Sequence, residues 1–206
     1  MHSITLTTSE GNWRLFVARK ADESFQRFSE RIWGRDSYTC QFCGFQAKQY
    51  QEVVNLDGDY RNNKLINMVT ACVFCTQCFF IESVGKNDYG GGLLIYLPEL
   101  SQTDLNGLCH VLFCAIANAT SYHSDAQSVY RSLKLRSKIV EEKLGEGMNS
   151  PALVGRMLID AQIKNRSKVG EDLLKDLRLL PSRTTFSKQI ETWAHAALEE
   201  MGSKGA

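Results

Sequence analysis

Two cysteine pairs, Cys40-Gln41-Phe42-Cys43 and Cys72-Val73-Phe74-Cys75, are the residues of this 206-residue chain best suited to chemistry. Each Cys-x-x-Cys places two thiols on one tight turn. Four thiolates from two such turns suit a tetrahedral zinc ion, because a borderline-soft dication in a closed sulfur shell has no position left for water. The expected centre is one structural Zn²⁺ on Cys40, Cys43, Cys72 and Cys75, with a local charge of about −2. Cys78 is the alternative ligand, since Cys75-Thr76-Gln77-Cys78 repeats the spacing. Arg35 and Lys48 lie near enough in sequence to offset part of the charge. Cys109 and Cys114 sit on or beside an apolar helical face and read as small buried hydrophobes. Such a metal would contribute on the order of 10 kcal/mol to folding the surrounding segment.

Composition narrows the classes of function. Lys and Arg number 24 against 23 Asp and Glu, for a net charge of +1. A general nucleic-acid binder carries a clearer basic excess. Hydrophobic residues make up 43% and charged residues 23%, ordinary values for a globular protein. No apolar run approaches the ~20 residues of a membrane span. Met1-His2-Ser3-Ile4-Thr5 does not open a secretory signal, so the seven cysteines are expected to be reduced and the compartment cytosolic.

The elements that would position the cysteines divide near residue 100. Ile4–Thr8 and Trp13–Ala18 read as strands around a Ser9-Glu10-Gly11-Asn12 turn. Asp22–Arg35 reads as a helix with Phe25, Phe28 and Ile32 on one face, ahead of the first cysteine pair. Gln51–Leu56 reads as a strand, Asp57-Gly58-Asp59 as a turn, and Asn63–Val69 as a short helix leading to the second pair. Asp57 and Asp59 could hold Mg²⁺ but fit turn positions better. Asn87–Gly92 lacks the Gly-Lys-Ser/Thr of a phosphate loop and reads as a flexible connector to a strand at Leu93–Leu97. Beyond it, Ser101 and Asp104 cap a helix carrying Leu105, Leu108, Cys109, Leu112 and Ile116. One long helix is expected from Ala126 to Leu144, another from Pro151, another over Glu171–Leu180 ending at Pro181. A last helix carries Phe186, Ile190, Trp193, Ala197 and Met201. Arg131, Lys134 and Lys138 share a helix face that reads first as solvated and second as a docking patch. Leu93–Leu97 and Ile4–Ala18 could accept an added strand from an extended partner.

The span Cys40–Cys75 resembles the HNH (treble-clef) endonuclease motif: a cysteine knuckle, a hairpin, an Asn-led segment and a second knuckle. Asn67 stands where that family's central Asn stands. The resemblance would place the family's general-base His at or near Asn55 and its last, metal-binding His at Thr76. An amide does not titrate near neutral pH, and a hydroxyl is a poor substitute for imidazole on a metal. The four histidines are His2, His110, His123 and His195, so none lies between residues 3 and 109 to replace them. The expectation is a nuclease framework without catalytic residues. An HNH-type nucleic-acid-binding protein or weak metal-dependent nuclease is the alternative.

The whole chain is similar to a narrower family, the IcmJ (DotN) components of Dot/Icm type IVB secretion systems. Trp13–Leu15, Tyr38–Ala47, Val54–Tyr60, Tyr89–Gly92, Leu94–Leu100 and Leu108–Ile116 carry the resemblance. It implies a non-enzymatic, cytoplasmic adaptor peripheral to the inner membrane. Its partners would be the C-terminal tail of the coupling ATPase and the other coupling-complex subunits, and it would support effector recruitment without binding nucleic acid. The expected fold is α+β: an HNH-like zinc module over 1–100 and a helical lobe over 101–206, packed as one unit.

Overall fold

Short antiparallel strands embedded among helices make up the α+β architecture of the computed structural model, which describes residues 1–9, 11–163 and 172–203. Helices α1 (Asn12–Ala21) and α2 (Glu23–Arg35) come first. The expected strand at Trp13–Ala18 is thus helical. Of its predicted turn, Glu10 lies outside the described residues, and Gly11 takes a φ of 89° that suits glycine. Helical spacing puts Phe16 and Arg19 on one face. Phe16 packs against Trp13, Tyr60 and Phe80, and that burial overrides the strand propensity of the segment. Asp22 caps α2 by accepting from the Phe25 amide.

Strands β1 (Gln51–Asn55) and β2 (Met68–Cys72) pair antiparallel, with Gln51 opposite Cys72 and Asn55 opposite Met68. The helix expected over Asn63–Val69 is instead a 3₁₀ turn at Leu65–Asn67 running into β2. Asn67 causes the change. Its Nδ2 donates to Asp57 Oδ1 at 2.9 Å and to the Asn62 carbonyl at 3.0 Å, while its Oδ1 accepts from the Asp57 amide. Those bonds close the 57–67 loop on itself in place of a helical ladder. Helix α3 (Val73–Thr76) follows directly.

Strand β3 (Gly92–Tyr96) pairs antiparallel with β4 (Leu177–Pro181). The segment read as a helix over Glu171–Leu180 therefore ends in a strand; Glu171 itself lies outside the described residues. Leucine-rich composition favours helix, but Leu177, Leu179 and Leu180 gain full burial as a strand. Gly92 permits the close approach, since a Cβ there would stand 2.2 Å from the Leu180 carbonyl oxygen. The 86–90 segment is a tight turn, with Asn87 and Asp88 both at positive φ and the Gly85 amide bonded to the Tyr89 carbonyl. It is held by hydrogen bonds where a loose connector was expected.

Helix α4 (Gln102–Ala117) begins at the anticipated cap, Ser101 Oγ accepting from the Asp104 amide at 3.0 Å. The long helix expected to Leu144 is two helices, α5 (His123–Leu135) and α6 (Ser137–Leu144), parted at Arg136. Arg136 clasps β3: its carbonyl accepts from the Tyr96 amide, and its guanidinium reaches the Tyr96 carbonyl and Glu99. Helices α7 (Pro151–Ile163) and α8 (Ser187–Ser203) follow among the described residues. On α8 Ile190 and Trp193 are buried, and Phe186 is buried just ahead of it; the Met201 side chain lies outside the described residues. One hydrophobic core runs from Ile4 to Trp193, with a smaller cluster of Ile32, Val53 and Met68 beneath α2.

Candidate metal centre

Cys40 and Cys43 lie on a turn at the edge of the β1–β2 pair. The Gly44 amide bonds the Cys40 carbonyl at 3.0 Å and the Cys40 amide bonds the Phe45 carbonyl at 2.9 Å. Gly44 reverses the chain with a φ of 74°. A further bond from the Gln41 amide to the Thr70 carbonyl ties this turn to β2. Cys72 ends β2 and is the N-cap of α3, and Cys75 sits on the single turn of α3. The strand end and the turn thereby face one another.

The four sulfurs lie within 4.8 Å of one another, with Cys40, Cys72 and Cys75 buried and Cys43 half-buried. Burial pushes the Cys72 and Cys75 thiols well up, whereas the neighbouring thiols of Cys43, Cys72 and Cys75 hold Cys40 well below the ordinary range. Four sulfurs this close and this dry cannot all be anionic without a cation among them. The donor set is all sulfur, four in number and turned inward, which fits a closed tetrahedral ion. Cys78 is separate from this set. Its thiol donates to the Phe74 carbonyl at 3.3 Å, and burial pushes it up to about 12.

Helix α4 supplies two residues that the spacing of the cysteines does not reveal. Asn106 Nδ2 donates to Cys75 Sγ at 3.3 Å, and His110 Nε2 lies 3.3 Å from Cys72 Sγ. They stand one helical turn apart on the face directed at the sulfurs. The His110 ring is stacked between Phe45 and Phe74 at centroid distances of 3.6 and 4.3 Å, with Trp193 edge-on. Burial lowers its pKa to about 3, so the imidazole is neutral, and in the Nε2–H tautomer it donates to the Cys72 sulfur. Such donors orient thiolates and spread their charge. Asn106 is also held in place by Gln102, whose Nε2 donates to its Oδ1 and to the Leu179 carbonyl. The signal available in sequence was the i, i+4 placement of Asn and His within a mostly apolar helix.

The charge-offsetting role expected of Arg35 is not what the structure gives. Arg35 pairs with Asp36 and donates to the Leu65 and Met68 carbonyls, while Asp36 accepts from the Thr70 amide. Lys48 lines a cavity of about 590 Å³ beside Phe45, His110 and Trp193.

Asn55, Thr76 and Asp57 are built into the framework. Asn55 is 2% exposed; its Nδ2 donates to the Asp59 and Asn62 carbonyls, and its Oδ1 accepts from Arg19 Nη1 at 2.7 Å. Thr76 Oγ1 donates back to the Cys72 carbonyl at 3.1 Å. Asp57 accepts from the Asp59 amide, Asn62 and Asn67, the pattern of a side-chain-closed turn. His123 bonds Ile116 and Gln127, and His195 faces Glu199 on the α8 surface.

Both two-stranded pairs have their outer edges taken. Arg19 donates to the Val53 carbonyl beside β1, and Asp36 and Arg35 occupy the outer edge of β2. The Leu94 amide bonds the Asn149 carbonyl, and Gln102 closes both backbone groups of Leu179. The N-terminal segment is tied in at Thr7, whose amide bonds the Cys78 carbonyl. Among the described residues no helix is long and apolar enough to cross a membrane.

Fold and site together define an α+β protein with a cluster of four cysteines that could hold a metal ion, flanked by an Asn and a neutral His. No family model matches the sequence. The chain is 61% identical over 198 residues to the type 4 apparatus protein DotN of Legionella pneumophila subsp. pneumophila (strain Philadelphia 1), covering 96% of this chain and 92% of that protein. The chain belongs to the DotN family.

Proposed function

We propose that this protein is a non-catalytic, zinc-containing subunit of a type IVB (Dot/Icm) secretion apparatus, in which it acts as an adaptor. Cys40, Cys43, Cys72 and Cys75 hold one structural zinc ion, and Asn106 and His110 orient the sulfurs. Bound there, the ion supplies cross-linking of the first turn to the β2–α3 junction. The module over 1–100 is an HNH-like treble clef, and it works as one unit with the lobe over 101–206. The partners are the C-terminal tail of the coupling ATPase and other coupling-complex subunits, through which the protein sits at the inner membrane and supports effector recruitment.

Identity of 61% over nearly the full length of a type 4 apparatus protein carries the secretion reading. The non-catalytic part rests on Asn55 and Thr76, whose polar groups are spent on backbone carbonyls and Arg19. With the strand edges capped, a partner tail docks on side chains rather than by adding a strand. Copurification of the tagged protein with the coupling ATPase tail tests the adaptor role: a stable complex at micromolar concentration supports it, and its absence refutes it. Cleavage of plasmid DNA with Mg²⁺, Mn²⁺ or Zn²⁺ that survives purification and disappears in Asn67→Ala would favour a nuclease instead.

A further inference from the structure

A groove of about 840 Å³ lies between α5, the β3–β4 pair, the 85–92 turn and the 182–185 turn. Its walls carry three cations, Arg131 and Lys134 from one face of α5 and Arg183 from the opposite side. All three side chains are exposed. None is engaged by a carboxylate or carbonyl among the described residues, in contrast to Arg19, Lys20, Arg35, Arg136 and Arg178, which are all tied down. Among the described residues Asp88 is the one acid on the lining, leaving the groove net positive in a protein whose total charge is +1.

The walls are fixed. Tyr130 Oη donates to the Pro181 carbonyl and accepts from the Arg183 amide, joining α5 to the 182–185 turn. The Ser182 amide bonds the Gly91 carbonyl, and the Gly91 amide bonds Gln77 Oε1. A Cβ on Gly91 would meet Thr185 at 2.5 Å, so glycine is required for the two turns to meet. Leu93, Ile116 and Leu180 contribute apolar surface to the lining, and the Ser182, Thr184 and Thr185 hydroxyls add neutral polar groups.

We infer that this groove binds an acidic peptide segment of a partner protein. Cations on two opposing walls suit carboxylates spaced along a chain, and the aliphatic residues between them suit its apolar side chains. Nucleic acid fits less well. Stacking of unpaired bases needs free aromatic faces, and the one aromatic residue on the lining, Tyr130, packs edge-on against Phe113. The inference stands on the groove alone and does not depend on which secretion subunit supplies the segment.

The test is fluorescence anisotropy on the full, metal-loaded chain with a labelled peptide of alternating Glu and Leu. Its controls are the matching Lys-Leu peptide and a single-stranded oligonucleotide. The expected result is binding of the Glu peptide alone, weakened as salt is raised through the physiological range. The triple variant Arg131→Glu, Lys134→Glu, Arg183→Glu should lower its affinity about tenfold or more. The separate variant Lys138→Glu, at an exposed lysine of α6 outside the groove lining, should leave it unchanged. Unaltered circular dichroism of the triple variant establishes that it folds. Equal binding by wild type and triple variant overturns the inference, as does an oligonucleotide bound as tightly as the Glu peptide.

Discussion

Replacing Asn55 by Ala should destabilise the protein by about 3–5 kcal/mol, because that side chain ties three separate groups to the end of β1. The bond from Arg19 Nη1 to Asn55 Oδ1 is charge-assisted, and losing its acceptor costs about 1.5–3 kcal/mol for a half-buried guanidinium. Nδ2 holds the Asp59 and Asn62 carbonyls, each bond contributing about 1 kcal/mol, with water replacing part of the loss at exposed Asp59. Arg19 has a second acceptor at the Val53 carbonyl and rests on the Phe25 and Tyr60 rings, which keeps the total nearer the lower figure. Urea unfolding followed by tryptophan fluorescence, with the slope held constant, measures it. Asn55→His belongs beside it. Imidazole at this position should destabilise comparably and confer no DNA cleavage, because Thr76 remains a hydroxyl bonded to the Cys72 carbonyl. A change below about 0.5 kcal/mol for Asn55→Ala, the range of ordinary surface substitutions, would refute the structural role.

Cys72→Ser removes a proposed ligand from the end of β2 and should abolish stoichiometric metal in purified protein, checked by elemental analysis, with a loss of folding on the scale of ~10 kcal/mol. His110→Ala takes a ring from between Phe45 and Phe74 and should cost about 2–4 kcal/mol, whereas His110→Phe keeps the stack and loses the ring nitrogen beside Cys72. Both variants should release metal to a chelator more readily, with affinity down about 10–100-fold. Burial raises Glu82 to about 7 against the pull of nearby amides, Lys86 and Arg156. A carboxyl whose folded pKa lies above its unfolded value binds more protons when folded, so stability should fall as pH rises from about 4.5 to 7. Glu82→Gln should flatten that slope and gain about 1–2 kcal/mol at neutral pH, read from thermal or urea unfolding across the interval.

Those variants also mark where sequence and structure part. The spacing of Cys40, Cys43, Cys72 and Cys75 was legible because a turn fixes two thiols irrespective of the surrounding fold. The α4 cap was legible for the same reason, being a local bond that Ser101 accepts from the amide three residues on. What escaped was decided at long range. Trp13–Ala18 has strand-like residues but packs as a helix through Phe16 on Tyr60 and Phe80. Leu177–Leu180 has helix-forming residues but is captured by β3, about 80 residues earlier in the chain. Arg136 splits α5 from α6 because it binds Tyr96 and Glu99, partners that no local pattern announces. Asn106 and His110 escaped for a further reason: an isolated polar residue in an apolar helix gives its position and not its partner. Asn55 and Thr76 were read by what they cannot do, and the structure adds the hydrogen bonds that occupy them.

X-ray absorption at the zinc edge on the purified chain reports directly on whether the ion only clamps the fold. The expected spectrum fits four sulfur scatterers at about 2.3 Å and no nitrogen or oxygen in the first shell. A light-atom ligand in that shell, marking a position open to water or filled by imidazole, would contradict a closed centre on Cys40, Cys43, Cys72 and Cys75.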